Sequence, residues 1–74
     1  MDNVTLFSLN ELARELSLNK SKLSYYASLD LITPASTVGR MMIFNKVETI
    51  DLIKKIEKLR KSGRTLQEIK ELIK

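Results

Sequence analysis

The sequence predicts a mainly α domain of about four helices carrying a small two-stranded hairpin. Three observations lead there. Ser8-Leu9-Asn10-Glu11, Asn45-Lys46-Val47-Glu48 and Thr65-Leu66-Gln67-Glu68 each place a capping side chain three residues before a glutamate, the signature of a helix start. Apolar residues recur at three- and four-residue intervals after each of them. Between the second and third helices the rhythm breaks over residues 30–44, where Pro34 and Gly39 fall. A chain of 74 residues, 43% hydrophobic, holds one small domain and buries a modest core.

The first helix opens at Ser8, with Leu9, Leu12, Ala13 and Leu16 on its apolar face. Ser17-Leu18 makes a brief turn, and Asn19 caps a second helix that runs to about Leu29. Leu23, Tyr26, Ala27 and Leu29 form its apolar side; Lys20, Ser21, Lys22, Ser24, Tyr25 and Ser28 fall mostly opposite. Asp30-Leu31-Ile32-Thr33-Pro34 leaves the helix, which Pro34 cannot continue. Ala35 to Gly39 reads as a polar turn, and Leu31–Thr33 is expected to pair with Met41–Phe44 as the hairpin. Asn45 opens the longest helix, to about Ser62, with Val47, Ile50, Ile53, Ile56 and Leu59 inward and Leu52 at the edge. Gly63 stands where a left-handed residue ends a helix. The last helix turns Leu66, Ile69, Leu72 and Ile73 inward.

Composition narrows the function. The chain has no cysteine and no histidine, so disulfides, thiolate or imidazole metal sites and the common catalytic triads have no residues to use. No enzyme activity, cofactor or metal is expected. Thirteen Lys and Arg stand against nine Asp and Glu, a net charge of +4. Four basic and four acidic residues lie before Ile43, and nine basic and five acidic from Ile43 onward, so the excess belongs to the second half. A basic balance suits nucleic acid or an acidic surface, although lysines also simply solubilise a helix. Lys54, Lys55 and Lys58 read best that way. No apolar run approaches the ~20 residues of a membrane span, and no signal-peptide pattern opens the chain, so a cytoplasmic protein is expected.

Two short helices joined by a tight turn, with a polar face on the second and a hairpin after them, make a winged helix-turn-helix. A helix of that kind fits the major groove of DNA while flanking loops reach the phosphates. The residues then add an ordered set of motifs. Leu9-Asn10-Glu11-Leu12-Ala13, Leu18, Lys22-Leu23-Ser24-Tyr25-Tyr26, Leu29 to Pro34, Gly39-Arg40 with Phe44, and Ser62 to Ile69 follow one another along the chain. From Leu6 to Ile73 the chain resembles the N-terminal winged-helix domain of the mercury-resistance-regulator (MerR) family.

The resemblance implies one DNA-binding domain over residues 1–74, with the helix-turn-helix at about 8–29, the wing at about 31–44 and a helix pair at about 46–73. It places Lys20, Ser21, Lys22, Ser24 and Tyr25 on the recognition helix, Tyr25 at a backbone-touching position, and Arg40 beside the phosphates. Lys61, Ser62 and Arg64 fall in a loop that serves the family as a second wing, where backbone amides near Gly63 are expected close to phosphate. Tyr26 and Phe44 match core positions. The expected role is a transcriptional regulator binding double-stranded DNA in the bacterial nucleoid. The alternatives are an excisionase-like architectural protein, or a protein-interaction module on the same fold. RNA polymerase or another protein is a second class of partner, and no membrane is one.

The chain departs from the family pattern at three places. Ser24 replaces an arginine, Asp30 replaces a glycine after the second helix, and the wing tyrosine is absorbed into Met41-Met42-Ile43-Phe44. These changes bear on base preference and wing contacts rather than on the fold. Such regulators continue into a dimerisation helix and an effector-binding part, both beyond Lys74. The sequence is therefore expected to be either a fragment of a longer regulator or a stand-alone protein, dimeric only where a longer chain supplies that helix.

Overall fold

The computed structural model describes residues 5–73; the expected domain limits at Met1 and Lys74 lie outside them. The chain runs β1 (Leu6–Ser8), α1 (Leu9–Leu16), α2 (Lys20–Ser28), β2 (Ser36–Val38), β3 (Met41–Asn45), α3 (Lys46–Lys61) and α4 (Leu66–Leu72). Four helices and a winged helix-turn-helix are as the sequence predicts. The capping residues act as expected. Ser8 and Thr65 each form the reciprocal box with Glu11 and Glu68, whereas Asn45 only accepts from the Glu48 amide at 3.0 Å.

Three helices stop by the same device. A residue one or two positions past each helix adopts a left-handed backbone, and its amide and the next one bond back to the last turn. At α1 this residue is Ser17, φ 55°; at α2 it is Asp30, φ 60°; at α3 it is Gly63, φ 97°. For α2, the Asp30 amide donates to the Ala27 carbonyl at 3.1 Å and the Leu31 amide to the Tyr26 carbonyl at 3.0 Å. Asp30 therefore sits in a conformation that glycine enters without steric cost. Asp30→Gly is expected to stabilise the domain by about 0.5 kcal/mol and Asp30→Val to destabilise it by about 1–2 kcal/mol, read from urea midpoints.

The sheet differs from the expected two-stranded hairpin. It has three antiparallel strands in the order β1-β3-β2, with Phe7 opposite Phe44 and Thr37 opposite Met42. Leu31–Thr33 is not a strand. The Leu31 amide is committed to the end of α2, Leu31 and Ile32 are both buried rather than alternating, and Pro34 has no amide to donate. Pairing instead begins where the Ala35 amide donates to the Ile43 carbonyl at 2.7 Å, so the segment read as a polar turn holds β2. Gly39 and Arg40 alone form the turn, with φ 62° at Gly39, the pattern of a two-residue hairpin that takes glycine first.

Leu12, Leu23, Tyr26, Leu31, Ile32, Phe44, Ile53, Ile56 and Ile69 form the fully buried core. Val47, expected inward, is 64% exposed, and Leu72, expected inward, is 55% exposed. The buried stripe of α3 runs through Thr49, Ile53 and Ile56, and at 3.6 residues per turn Val47 points about 120° away from Ile53. Met42 packs on the core, whereas Met41 points to solvent at the hairpin end. No helix among the described residues is long and apolar enough to cross a membrane.

Candidate nucleic-acid interface

Helix α2 presents a polar face because only Leu23 and Tyr26 are buried along it. Asn19 caps it, its side chain accepting from the Ser21 amide at 2.8 Å, which sets Lys20 at the first helical position. Lys20, Ser21, Ser24 and Tyr25 are exposed, Tyr25 at 53%. The helix carries Lys20 and Lys22 and no acidic residue. The first half of the chain is neutral as a whole, but this element is not.

The hairpin brings Arg40 to α2. Lys20 and Arg40 line one open cleft of about 440 Å³, together with Asn10 of α1 and Val38 and Met41 at the end of the hairpin. The short turn matters here, because two residues between paired Val38 and Met41 leave Arg40 at the tip of a rigid ribbon. The other expected residues are not gathered with them. Tyr25 faces a separate cleft shared with Leu66 and Lys70 of α4, and Lys61 lines a third beside Leu16, Leu18, Lys54 and Lys58. Arg64 is exposed in the α3–α4 loop.

That loop corrects one expectation. The amides of Ser62, Gly63 and Arg64 donate to the carbonyls of Lys58, Arg60 and Leu59, at 3.2, 3.0 and 3.2 Å, and the Thr65 amide donates to Glu68. Closing α3 and opening α4 uses these donors. The loop offers side chains, not backbone amides, to an anion.

A polar network joins α2 to α3. The Lys22 ammonium donates to Glu57 Oε1 at 2.8 Å, the Tyr26 hydroxyl donates to Glu57 Oε2, and Arg60 Nη1 donates to the Tyr26 hydroxyl oxygen at 3.2 Å. Burial of Tyr26, reinforced by the carboxylate beside it, pushes its hydroxyl pKa upward. For Glu57, burial works against ionisation, and the hydrogen bonds from Lys22 and Tyr26 more than offset it, holding the carboxyl below its ordinary 4.5.

The pattern of the family described as "MerR HTH family regulatory protein" matches residues 7–74. The chain belongs to this family. A crystal structure of a MerR-family transcriptional regulator from Bacillus cereus shares its fold, with TM-score 0.79 and 23% identity over 93% of this chain and 52% of that one. The chain thus spans about half the length of that regulator. No curated protein matches it.

In this MerR-family domain the sequence reading missed Glu57 and Arg60. A signal was present. At 3.6 residues per turn both lie within about 40° of Ile53, so they are charges on the inward face of an amphipathic helix. Their partners, more than thirty residues away in sequence, leave no local trace. Because the folded-state pKa of Glu57 is depressed, its contribution to stability is full above 4.5 and is lost as pH falls through the lower folded value. Glu57→Gln is expected to flatten the acid limb of a stability-versus-pH curve measured by urea unfolding.

Proposed function

We propose that this domain binds double-stranded DNA, sequence-specifically, as a transcriptional regulator or the DNA-binding part of one. The observation that carries the reading is the pairing of Lys20, at the start of an acid-free helix, with Arg40 at the hairpin tip across one open cleft. Helix α2 enters the major groove, where Ser21 and Ser24 reach base edges. Lys20, Arg40 and the Tyr25 hydroxyl take phosphates, and Lys61 and Arg64 hold the flanking backbone. Lys22 belongs to the same helix, but in the free domain its ammonium rests on Glu57. The role implies work at the nucleoid. RNA polymerase is a further proposed partner, and a homodimer is proposed where a longer chain supplies the pairing helix.

A second reading, a protein-interaction module, is favoured by one observation: Leu72 on α4 is 55% exposed, an apolar side chain left in solvent. Amide NMR shifts during titration with a mixed-sequence duplex at low salt separate the two. Duplex binding is expected to move residues 19–25, 39–41 and 61–64. Shifts confined to α4, or none, contradict the DNA reading.

A further inference from the structure

Lys22 is one of two cations on α2, yet the free domain turns it inward. Its ammonium lies 2.8 Å from Glu57 Oε1, with the two side chains 33% and 27% exposed. The carboxylate is fixed from its other side by the Tyr26 hydroxyl, and Tyr26 is completely buried and braced by Arg60. Glu57 therefore cannot swing freely. It offers Lys22 a stationary anionic oxygen, the kind of partner a phosphate would also supply. Lys22 and Tyr26, four positions apart, share one side of α2, so a single carboxylate on α3 holds both. An ion pair this accessible to water is weak enough to exchange.

We infer that Glu57 is a positioning residue that tethers the Lys22 ammonium to α3 and competes for it with the phosphates of a duplex. The inference rests on the DNA-binding reading for its second half only. Among the described residues Lys20 is then the α2 cation with no carboxylate partner when the free domain meets DNA, and Lys22 reaches a phosphate oxygen only by giving up a carboxylate oxygen. The Lys22–Glu57 ion pair is given up in the trade, and the carboxylate is left to Tyr26 and solvent.

Two measurements test it. The tether is read without DNA by acylating the whole folded chain with an amine-reactive ester and measuring each lysine by mass spectrometry. Lys22 is expected to react several-fold more slowly than Lys20 in the unmodified chain, and as fast as Lys20 in Glu57→Gln. Equal rates for the two lysines in the unmodified chain overturn the tether, whether or not the variant folds. The competition is read from duplex affinity against salt. Glu57→Gln is expected to steepen the log–log slope by about 0.9, one added phosphate contact, so its advantage grows about 3.5-fold over a fourfold drop in salt. In a Lys22→Ala background the same change is expected to leave the slope unaltered. Equal steepening with and without Lys22 means a general charge effect and overturns the competition. If the unmodified chain shows no salt-dependent duplex binding, the DNA reading fails and the competition falls with it, while the acylation rates still decide the tether.

Discussion

Phe44→Ala is expected to remove a large part of the domain's stability and to lower its melting temperature steeply. Phe44 is fully buried at the middle of β3, the central strand of the sheet, opposite Phe7 of β1. Strand β3 also packs against α1 and α3, so its side chain stands where sheet and helices meet. Truncating a buried phenylalanine typically costs about 3–5 kcal/mol, through lost transfer energy and the cavity left behind. A domain of this size has roughly 4–11 kcal/mol in total, at 0.05–0.15 kcal/mol per residue. The loss therefore takes from about a quarter of the stability to all of it. Thermal melting by circular dichroism checks it, with Val47→Ala as the contrast. Val47 is equally apolar but 64% exposed, and its truncation is expected to change stability by less than about 0.5 kcal/mol. A Phe44→Ala chain as stable as Val47→Ala would remove the sheet from the centre of the core.

The largest expected effect on function comes from reversing two charges. Lys20→Glu with Arg40→Glu is expected to reduce duplex affinity on the order of a hundredfold at low salt, about tenfold for each cation turned into a repulsive carboxylate. Both residues are exposed and neither takes part in the network that joins α2 to α3. The fold is therefore expected to survive, with an unchanged melting curve. The reasoning depends on their sharing one cleft, because each reversal then acts on the same stretch of phosphates. Fluorescence anisotropy with a labelled duplex gives the measurement. Reversal of Lys54 and Lys55, exposed on α3 and outside that cleft, is the comparison. Affinity lost equally in both pairs would mean that overall charge, not the α2–hairpin cleft, drives binding.

Much of the helical framework can be read from the sequence because its signals are local. Ser8 with Glu11 and Thr65 with Glu68 close their capping boxes within three residues, and Asn19 caps α2 within two. The sheet is legible only in part. Strand β1 has three residues and shares Ser8 with the cap of α1, so no alternation announces it. Leu31-Ile32 is apolar enough to suggest a strand, and only the left-handed turn at Asp30 shows why it goes into the core. The candidate site divides in the same way. Lys20 and Arg40 are recognisable as residues, through the order of the motifs around them. Their meeting in one cleft depends on the hairpin register, which shifts from Leu31–Thr33 to Ser36–Val38 and shortens the turn to Gly39-Arg40. The bond from Lys22 to Glu57 spans 35 positions and is a property of the folded chain alone.

Duplex affinity of the unmodified chain, measured from about 50 to 200 mM salt, tests the central claim most directly. Lys20, Arg40, Lys61 and Arg64 are the proposed interface cations with no carboxylate partner among the described residues, with Lys22 held by Glu57. Four phosphate contacts at about 0.9 each give an expected slope of roughly −3.6 for log affinity against log salt. A slope near zero, or no binding to any duplex at the low-salt end, would contradict a DNA-binding role for this domain.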